Sequence, residues 1–261
     1  MTNIKLLTLT WGHYENFDIS KTSLYQSFKK YNPEKEIIHH HFNRGLYWEL
    51  ERQYQETYGV ESEYLLYKIT FLLEKAKEID SEYVIFCDAN DVACFTDIDD
   101  LPNQFDLENF IIVGHEKNMW PPLDRKLTWP NYVDYDENHM NNRTFLNSGM
   151  ILAKTQKYVE LLQSLVDNVL STKIPTFNND QGVFTYYYNK GFHPIIKLDF
   201  DSLFVVNTYS RNTNEYRLED ERLISNSTGI KPYFLHDNGW NHGSPRYHNH
   251  FNLVDIYTST K

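Results

Sequence analysis

The stretch "YVIFCDANDVACF", Tyr83 to Phe95, decides the fold of this chain. Four apolar residues lead directly into Asp88, and Asp91 follows three positions later. A short run of β-branched and aromatic residues is typical of a buried strand, so the two carboxylates come where that strand ends. Aspartates at such a place can satisfy turn or helix-cap donors, whereas a carboxylate pair also suits acid–base chemistry or a metal ion. On this stretch alone, all of these alternatives stay open.

Apolar runs of strand length recur on both sides of this stretch and alternate with helical patterns. The strands are predicted at 4–10, 36–42, 110–115, 145–154, 193–199, 203–208 and 233–237, and the helices at 18–31, 62–79, 155–170 and 180–190. This alternation predicts an α/β fold with a mixed, largely parallel central sheet, in a single domain over 1–261. Ligands of such folds bind at the carboxyl ends of the strands, where Asp88 and Asp91 are expected.

Composition excludes several classes of function. The 261 residues carry a formal net charge of −11, which makes a general affinity for nucleic acid or anionic lipid improbable. No apolar run reaches 18 residues, and "MTNIKLLTLTW" is too short for a signal peptide, so we expect a soluble, cytoplasmic-type protein without a membrane span. Cys87 and Cys94 lie in or beside one strand and are expected as small core residues rather than a disulfide.

Three further polar features stand at informative places. Asn147, Ser148 and Gly149 interrupt a predicted strand, which indicates either an ordinary bulge or a close approach of the backbone to another group. Asp180 stands at a predicted helix start, where capping alone could explain it. His236 ends an apolar strand, as Asp88 does, although a lone histidine is more often structural than a ligand.

Taken in order, these stretches resemble a GT-A glycosyltransferase, with a Rossmann-like nucleotide-sugar transferase fold. More narrowly, they resemble the glucosyltransferase domain of the multifunctional procollagen lysyl hydroxylases. The resemblance runs from about residue 4 to about residue 245, and the order and spacing of its motifs are more specific than any single motif. The motifs are "YVIFCDANDV" (83–92), "MWPPLDRKL" (119–127), "FLNSGMILAK" (145–154), "NNDQGVF" (178–184), "LDFDSLFVVN" (198–207) and "LHDNGW" (235–240).

The resemblance implies a role for individual residues. The expected Mn²⁺ ligands are Asp88, Asp91 and His236. The residues expected at the nucleotide or the donor sugar are Trp48, Lys68, Asp88, Asn147, Ser148, Gly149, Gln181 and Gly239, and those expected nearest the transfer are Asp180, Asn179 and Trp120. The acidic run of the family reads Asn178-Asn179-Asp180 here, so the identity of a catalytic base stays open. Before the family is considered, core packing would explain Trp48. A solvated helix edge would explain Lys68 as well as phosphate binding would.

The resemblance also implies cofactors and partners. It predicts Mn²⁺ and a UDP-sugar donor, UDP-glucose first and UDP-galactose as the alternative. The expected acceptor is galactosyl-hydroxylysine of a collagen-like protein, and a homodimer is compatible with the family. Two other functions remain open: a transferase that builds lipopolysaccharide or capsule, and a non-catalytic GT-A domain used for binding.

Overall fold

The computed structural model describes residues 2–12, 17–58, 67–116, 145–168, 170, 180–188, 195–208 and 215–237. Its helices are α1 (Ser23–Tyr31), α2 (Arg44–Tyr58), α3 (Tyr67–Lys77), α4 (Thr155–Asn168) and α5 (Asp180–Tyr187). Its strands are β1 (Ile4–Gly12), β2 (Ile37–Asn43), β3 (Tyr83–Asp88), β4 (Val92–Cys94), β5 (Ile111–Glu116), β6 (Phe145–Lys154), β7 (Ile196–Leu198), β8 (Val205–Asn207), β9 (Tyr216–Glu219), β10 (Arg222–Ser225) and β11 (Phe234–His236). Every predicted strand and helix therefore has a counterpart.

Six of the described strands form the central sheet, in the order β2-β1-β3-β6-β5-β7. The strand β1 runs parallel to β2 and β3, and β5 runs parallel to β7. Within the part of this sheet that the structure describes, only β6 is antiparallel to its neighbours, β3 and β5. The sheet is thus mixed and mostly parallel, as the alternation of strands and helices predicted. The carboxyl ends of β1, β3 and β5 lie at the same edge.

Both faces of the central sheet are buried. Successive side chains of a strand point to opposite faces. Val84 and Phe86 of β3 accordingly join the core formed with α2, α3, α4 and α5, whereas Ile85 and Cys87 join the core formed with α1. Cys87 and Cys94 are buried and not joined in a disulfide, which confirms their prediction as core residues. No helix among the described residues is long and apolar enough to cross a membrane.

A second, three-stranded sheet has the order β4-β11-β8. The strand β11 is antiparallel to β4 and parallel to β8. This register places His236 opposite Val92 on one side and Asn207 on the other. Because Asp91 immediately precedes Val92, the pairing of β11 with β4 brings the end of β11 to the turn that follows β3.

Candidate active site

The Asp88–Asp91 turn joins the central sheet to the second sheet. Asp88 is the last residue of β3, and Asp91 directly precedes β4. His236 Nε2 lies 3.5 Å from Asp91 Oδ2 and 3.8 Å from Asp88 Oδ2. The imidazole is buried, whereas both carboxylates are partly exposed. The structure therefore brings together the three side chains that the sequence proposed as ligands, with the carboxylates open to solvent.

These three groups favour a positive charge between them. Burial lowers the pKa of His236, but the carboxylates of Asp91 and Asp88, together with Glu116, outweigh burial and raise that pKa above its ordinary value. Two ligands bound to one Mg²⁺-sized ion at about 2.1 Å lie at most about 4.2 Å apart, and the two separations from Nε2 fall within that limit. Among the described residues, no group of three or more His, Cys, Asp or Glu side chains is already arranged to hold a metal ion. Two carboxylates and an imidazole fit a divalent cation.

Gly149 of β6 has no side chain, and the space beside it is occupied by the side chains of His236 and Asp88. The register of β6 against β5 shifts, so that Val113 faces Ile151 but Gly114 faces Asn147. A Cβ on Gly149 would lie 2.3 Å from His236 Cε1 and 2.8 Å from Asp88 Oδ2. Both predictions for this segment therefore hold, because it is a bulge and its backbone closely approaches other groups.

Lys68 lies in the first turn of α3 and is only 4% exposed. Its Nζ donates to Asp88 Oδ1 at 3.0 Å, lies 2.8 Å from Asp180 Oδ2, and stands 5.0 Å from the centroid of the Phe86 ring. Burial lowers the pKa of Lys68, but Asp180 and Asp88 outweigh burial, and the net pKa is raised. The alternative that Lys68 marks a solvated helix edge is therefore wrong: the ammonium is a buried bridge between two carboxylates.

Asp180 is the first residue of α5, where the sequence predicted a helix start. Its side chain is mostly buried and its carboxylate pairs with Lys68. Asp180 thus belongs to the same charged cluster as Asp88. Asn179, Trp120 and Gly239, the other predicted residues of the transfer and nucleotide sites, lie outside the described residues.

Glu116 is a residue of this site that the sequence analysis missed. It is 1% exposed, and Gln181 Nε2 donates to its Oε1 at 2.6 Å while Asn147 Nδ2 lies 3.4 Å from its Oε2. The backbone N–H of Ser148 donates to Gln181 Oε1 at 3.3 Å, and that of Gly149 donates to Asn147 Oδ1 at 2.9 Å. Glu116 thereby orients both amides. An apolar strand that ends on a carboxylate, as β3 also does, is the signal that could have identified it.

Trp48 lies on α2 and is 56% exposed, so core packing does not explain it. Its ring meets Tyr47 edge to face at 5.2 Å, and Tyr47 meets Tyr67 in the same way at 5.7 Å. Because Tyr67 precedes Lys68, these rings connect Trp48 to the helix that carries the buried lysine. Its assignment to the nucleotide stays a prediction.

No model of a known protein family matches this chain, and no curated protein matches it in sequence. Among solved structures, an active-site mutant of LgtC matches 97% of this chain and 95% of its own, with a TM-score of 0.51 and 13% identity. The chain has a GT-A glycosyltransferase fold.

Two further glycosyltransferase structures match with lower TM-scores. A glycosyltransferase involved in the glycosylation of the major capsid of PBCV-1 matches with a TM-score of 0.44 and 13% identity, over 95% of this chain and 98% of its own. The glycosyltransferase GlyE of Streptococcus pneumoniae matches with a TM-score of 0.49 and 14% identity, over 98% of this chain and 63% of its own.

Proposed function

We propose that this protein is a metal-dependent glycosyltransferase, which moves a hexose from a nucleotide sugar to a hydroxyl acceptor within one GT-A domain. The observation that carries the proposal is the convergence of Asp88, Asp91 and His236, with 3.5 and 3.8 Å between the imidazole and the two carboxylates. They lie at the carboxyl edge of the central sheet, where ligands of α/β folds bind. Gly149 is the residue whose missing side chain leaves this space open.

The metal ligands would be Asp88, Asp91 and His236, and the imidazole favours Mn²⁺ over Mg²⁺. A bound divalent ion would neutralise charge on the diphosphate leaving group. Lys68 holds Oδ1 of Asp88, while Oδ2 of the same carboxylate faces His236. Lys68 therefore orients Asp88 so that one of its oxygens remains directed at the shared space.

The remaining polar groups would arrange the donor sugar. Glu116 fixes the amides of Gln181 and Asn147, which we propose lie along the sugar together with Ser148. We propose that Asp180 acts at the sugar, because Lys68 pairs with both Asp88 and Asp180 and so holds the Asp180 carboxylate near Asp88. We also propose that Asn179 and Trp120 lie near the transferred sugar. Gly239 and Trp48 would lie at the nucleotide.

The first experiment measures release of the nucleoside diphosphate. The protein is incubated with UDP-glucose or UDP-galactose, with and without Mn²⁺, and Asp91→Asn is compared with the wild type. We expect Mn²⁺-dependent release of UDP that Asp91→Asn abolishes without a large change in melting temperature, because a partly exposed carboxylate contributes little packing. The matched control is Asp106→Asn, an exposed aspartate near the amino end of β5, at the opposite edge of the sheet. Binding of the UDP-sugar without any turnover would favour the non-catalytic alternative.

The finer assignment is that glucose is transferred from UDP-glucose to galactosyl-hydroxylysine of collagen-like chains. It is supported by the resemblance of the sequence motifs. A Gly-X-Y peptide that carries galactosyl-hydroxylysine should be converted, and the same peptide with unmodified lysine should not react, since it offers no galactose hydroxyl. Equal activity on free monosaccharides would instead favour the transferase of polysaccharide or lipopolysaccharide synthesis.

A further inference from the structure

Asn207 is a fully buried amide at the end of β8, directly beside the proposed metal ligand His236. Its Oδ1 lies 2.7 Å from His236 Nδ1, and its Nδ2 donates to the backbone carbonyl of His115 at 2.8 Å. The amide therefore connects β11, which carries the imidazole, to the carboxyl end of β5. Buried amides of this kind are held in one orientation by their partners.

The partners of Asn207 determine which nitrogen of the imidazole carries a proton. The carbonyl oxygen of His115 can only accept, so the NH₂ group of Asn207 must face it. The amide oxygen then faces His236, and because that oxygen can only accept, Nδ1 of His236 must donate. In the neutral imidazole the proton is therefore on Nδ1, and Nε2 carries a lone pair.

That lone pair faces two carboxylates. His236 Nε2 is the ring atom that lies 3.5 Å from Asp91 Oδ2 and 3.8 Å from Asp88 Oδ2. In a metal-binding histidine, the ring nitrogen that does not bind the metal donates its N–H to a neighbouring acceptor. This hydrogen bond fixes the tautomer and the orientation of the ring. We propose that Asn207 is a positioning residue, which fixes His236 with a protonated Nδ1 and directs the Nε2 lone pair at the space between Asp88 and Asp91. Its consequence for metal binding rests on the proposed function.

The surroundings of Asn207 hold this arrangement in place. A Cβ on Gly114 would lie 2.7 Å from Asn207 Nδ2, so the glycine of β5 makes room for the amide. The backbone N–H of Thr208 donates to the carbonyl of His236 at 3.0 Å, which fixes β8 against β11 next to the two side chains. The amide and the imidazole are thus fixed both at their side chains and along the backbone.

The test uses two substitutions and one matched control. Asn207→Leu keeps the number and branching of the side-chain heavy atoms but removes the acceptor, whereas Asn207→Asp keeps an oxygen that can accept from Nδ1. The control is Asn32→Leu: Asn32 is also a buried amide bonded to backbone, through Nδ2 to Thr96 and through Oδ1 to the N–H of Ile98. The control should lose stability to a similar extent without any effect on His236.

The first readout is the ¹⁵N NMR spectrum of the metal-free protein, recorded at an alkaline pH at which the imidazole is neutral. We expect His236 of the wild type, of Asn207→Asp and of Asn32→Leu to carry its proton on Nδ1, and that of Asn207→Leu to shift toward the Nε2–H tautomer. A wild-type His236 protonated on Nε2, or an Asn207→Leu variant that keeps the wild-type tautomer, would overturn the assignment.

The second readout is the binding of Mn²⁺ alone, measured by electron paramagnetic resonance. We expect Asn207→Leu to weaken Mn²⁺ binding by roughly 10- to 100-fold, the range found when such outer partners are removed, and Asn207→Asp to retain more of it. Equal affinity in the wild type and in Asn207→Leu would contradict the positioning role. A wild type that has the expected tautomer but binds no Mn²⁺ would refute the proposed function and leave the assignment of Asn207 supported.

Discussion

Gly149→Ala should damage the site while it leaves the fold intact. The added methyl group would stand 2.3 Å from His236 Cε1, where contacts between carbon atoms are favourable at about 3.5–4.0 Å. The imidazole cannot easily retreat, because Asn207 holds its Nδ1 at 2.7 Å and β11 is paired on both sides. Either the ring or the bulge must therefore move by roughly 1 Å. Overpacking of this kind costs about 1–3 kcal/mol of stability, and a misplacement of that size can cost about 10²-fold in turnover.

Three measurements on Gly149→Ala test this reasoning: denaturant unfolding, Mn²⁺ affinity and Mn²⁺-dependent release of UDP. The matched control is Gly45→Ala in the first turn of α2, where the nearest atom to an added Cβ is Asn43 Oδ1 at 3.5 Å, an ordinary contact. Because alanine is the better helix former, the control should gain up to about 1 kcal/mol and keep its activity. If Gly149→Ala bound Mn²⁺ and turned over like the wild type, His236 and Asp88 would not approach Gly149 as closely as described.

Two further predictions concern buried charges. Lys68→Met should destabilise the protein, by less than the roughly 3–5 kcal/mol found for fully buried pairs, because it leaves the partly exposed Asp88 and the mostly buried Asp180 without their shared cation. Urea unfolding should show that adding Asp180→Asn to this variant restores part of the loss, and strictly additive effects would argue against the coupling. Burial raises the pKa of Asp199 to about 6 from 3.8, against the effect of three backbone N–H bonds. The folded state therefore holds this proton more tightly than the unfolded state, and wild-type stability should fall by roughly 2 kcal/mol as the pH rises from about 4 to about 6. Asp199→Asn should lack this pH-dependent loss. Equal slopes of the free energy of unfolding against pH in both proteins would contradict the prediction.

The central sheet could be predicted because its strands carry strong local signals. Runs such as 83–88 and 110–115 are buried on both faces, so their sequences are almost continuously apolar. The order of the strands and the reversed direction of β6 depend on contacts between distant residues, and no local pattern contains them. The same holds for the register that places His236 beside Asp91.

The helix α2 and the β9–β10 hairpin were missed because their local signals are weak. The helix α2 exposes Leu46 and Trp48, so it has no clean apolar stripe; its start is marked by Asn43, whose Oδ1 accepts from the N–H of Leu46 at 2.8 Å. The β9–β10 hairpin turns through Asp220 and Glu221, with φ of 48° and 62°. Tight hairpin turns with positive φ are usually recognised by Asn-Gly or Asp-Gly, and glutamate gives no such signal.

The candidate site shows the same division between local and distant information. Asp88, Asp91, His236 and Asp180 each stand at the end or the start of an element, which the sequence displays. The two ion pairs of Lys68 could not be predicted in this way, although they decide how much positive charge the site can offer a substrate. The single cation of Lys68 is already matched by Asp88 and Asp180, and Asp91 adds a third carboxylate, so these four side chains carry a formal charge of −2. A diphosphate that approached them would meet net repulsion. For these four side chains, the nucleotide sugar that we propose as donor would need added positive charge, and a divalent ion held by Asp88, Asp91 and His236 would supply it.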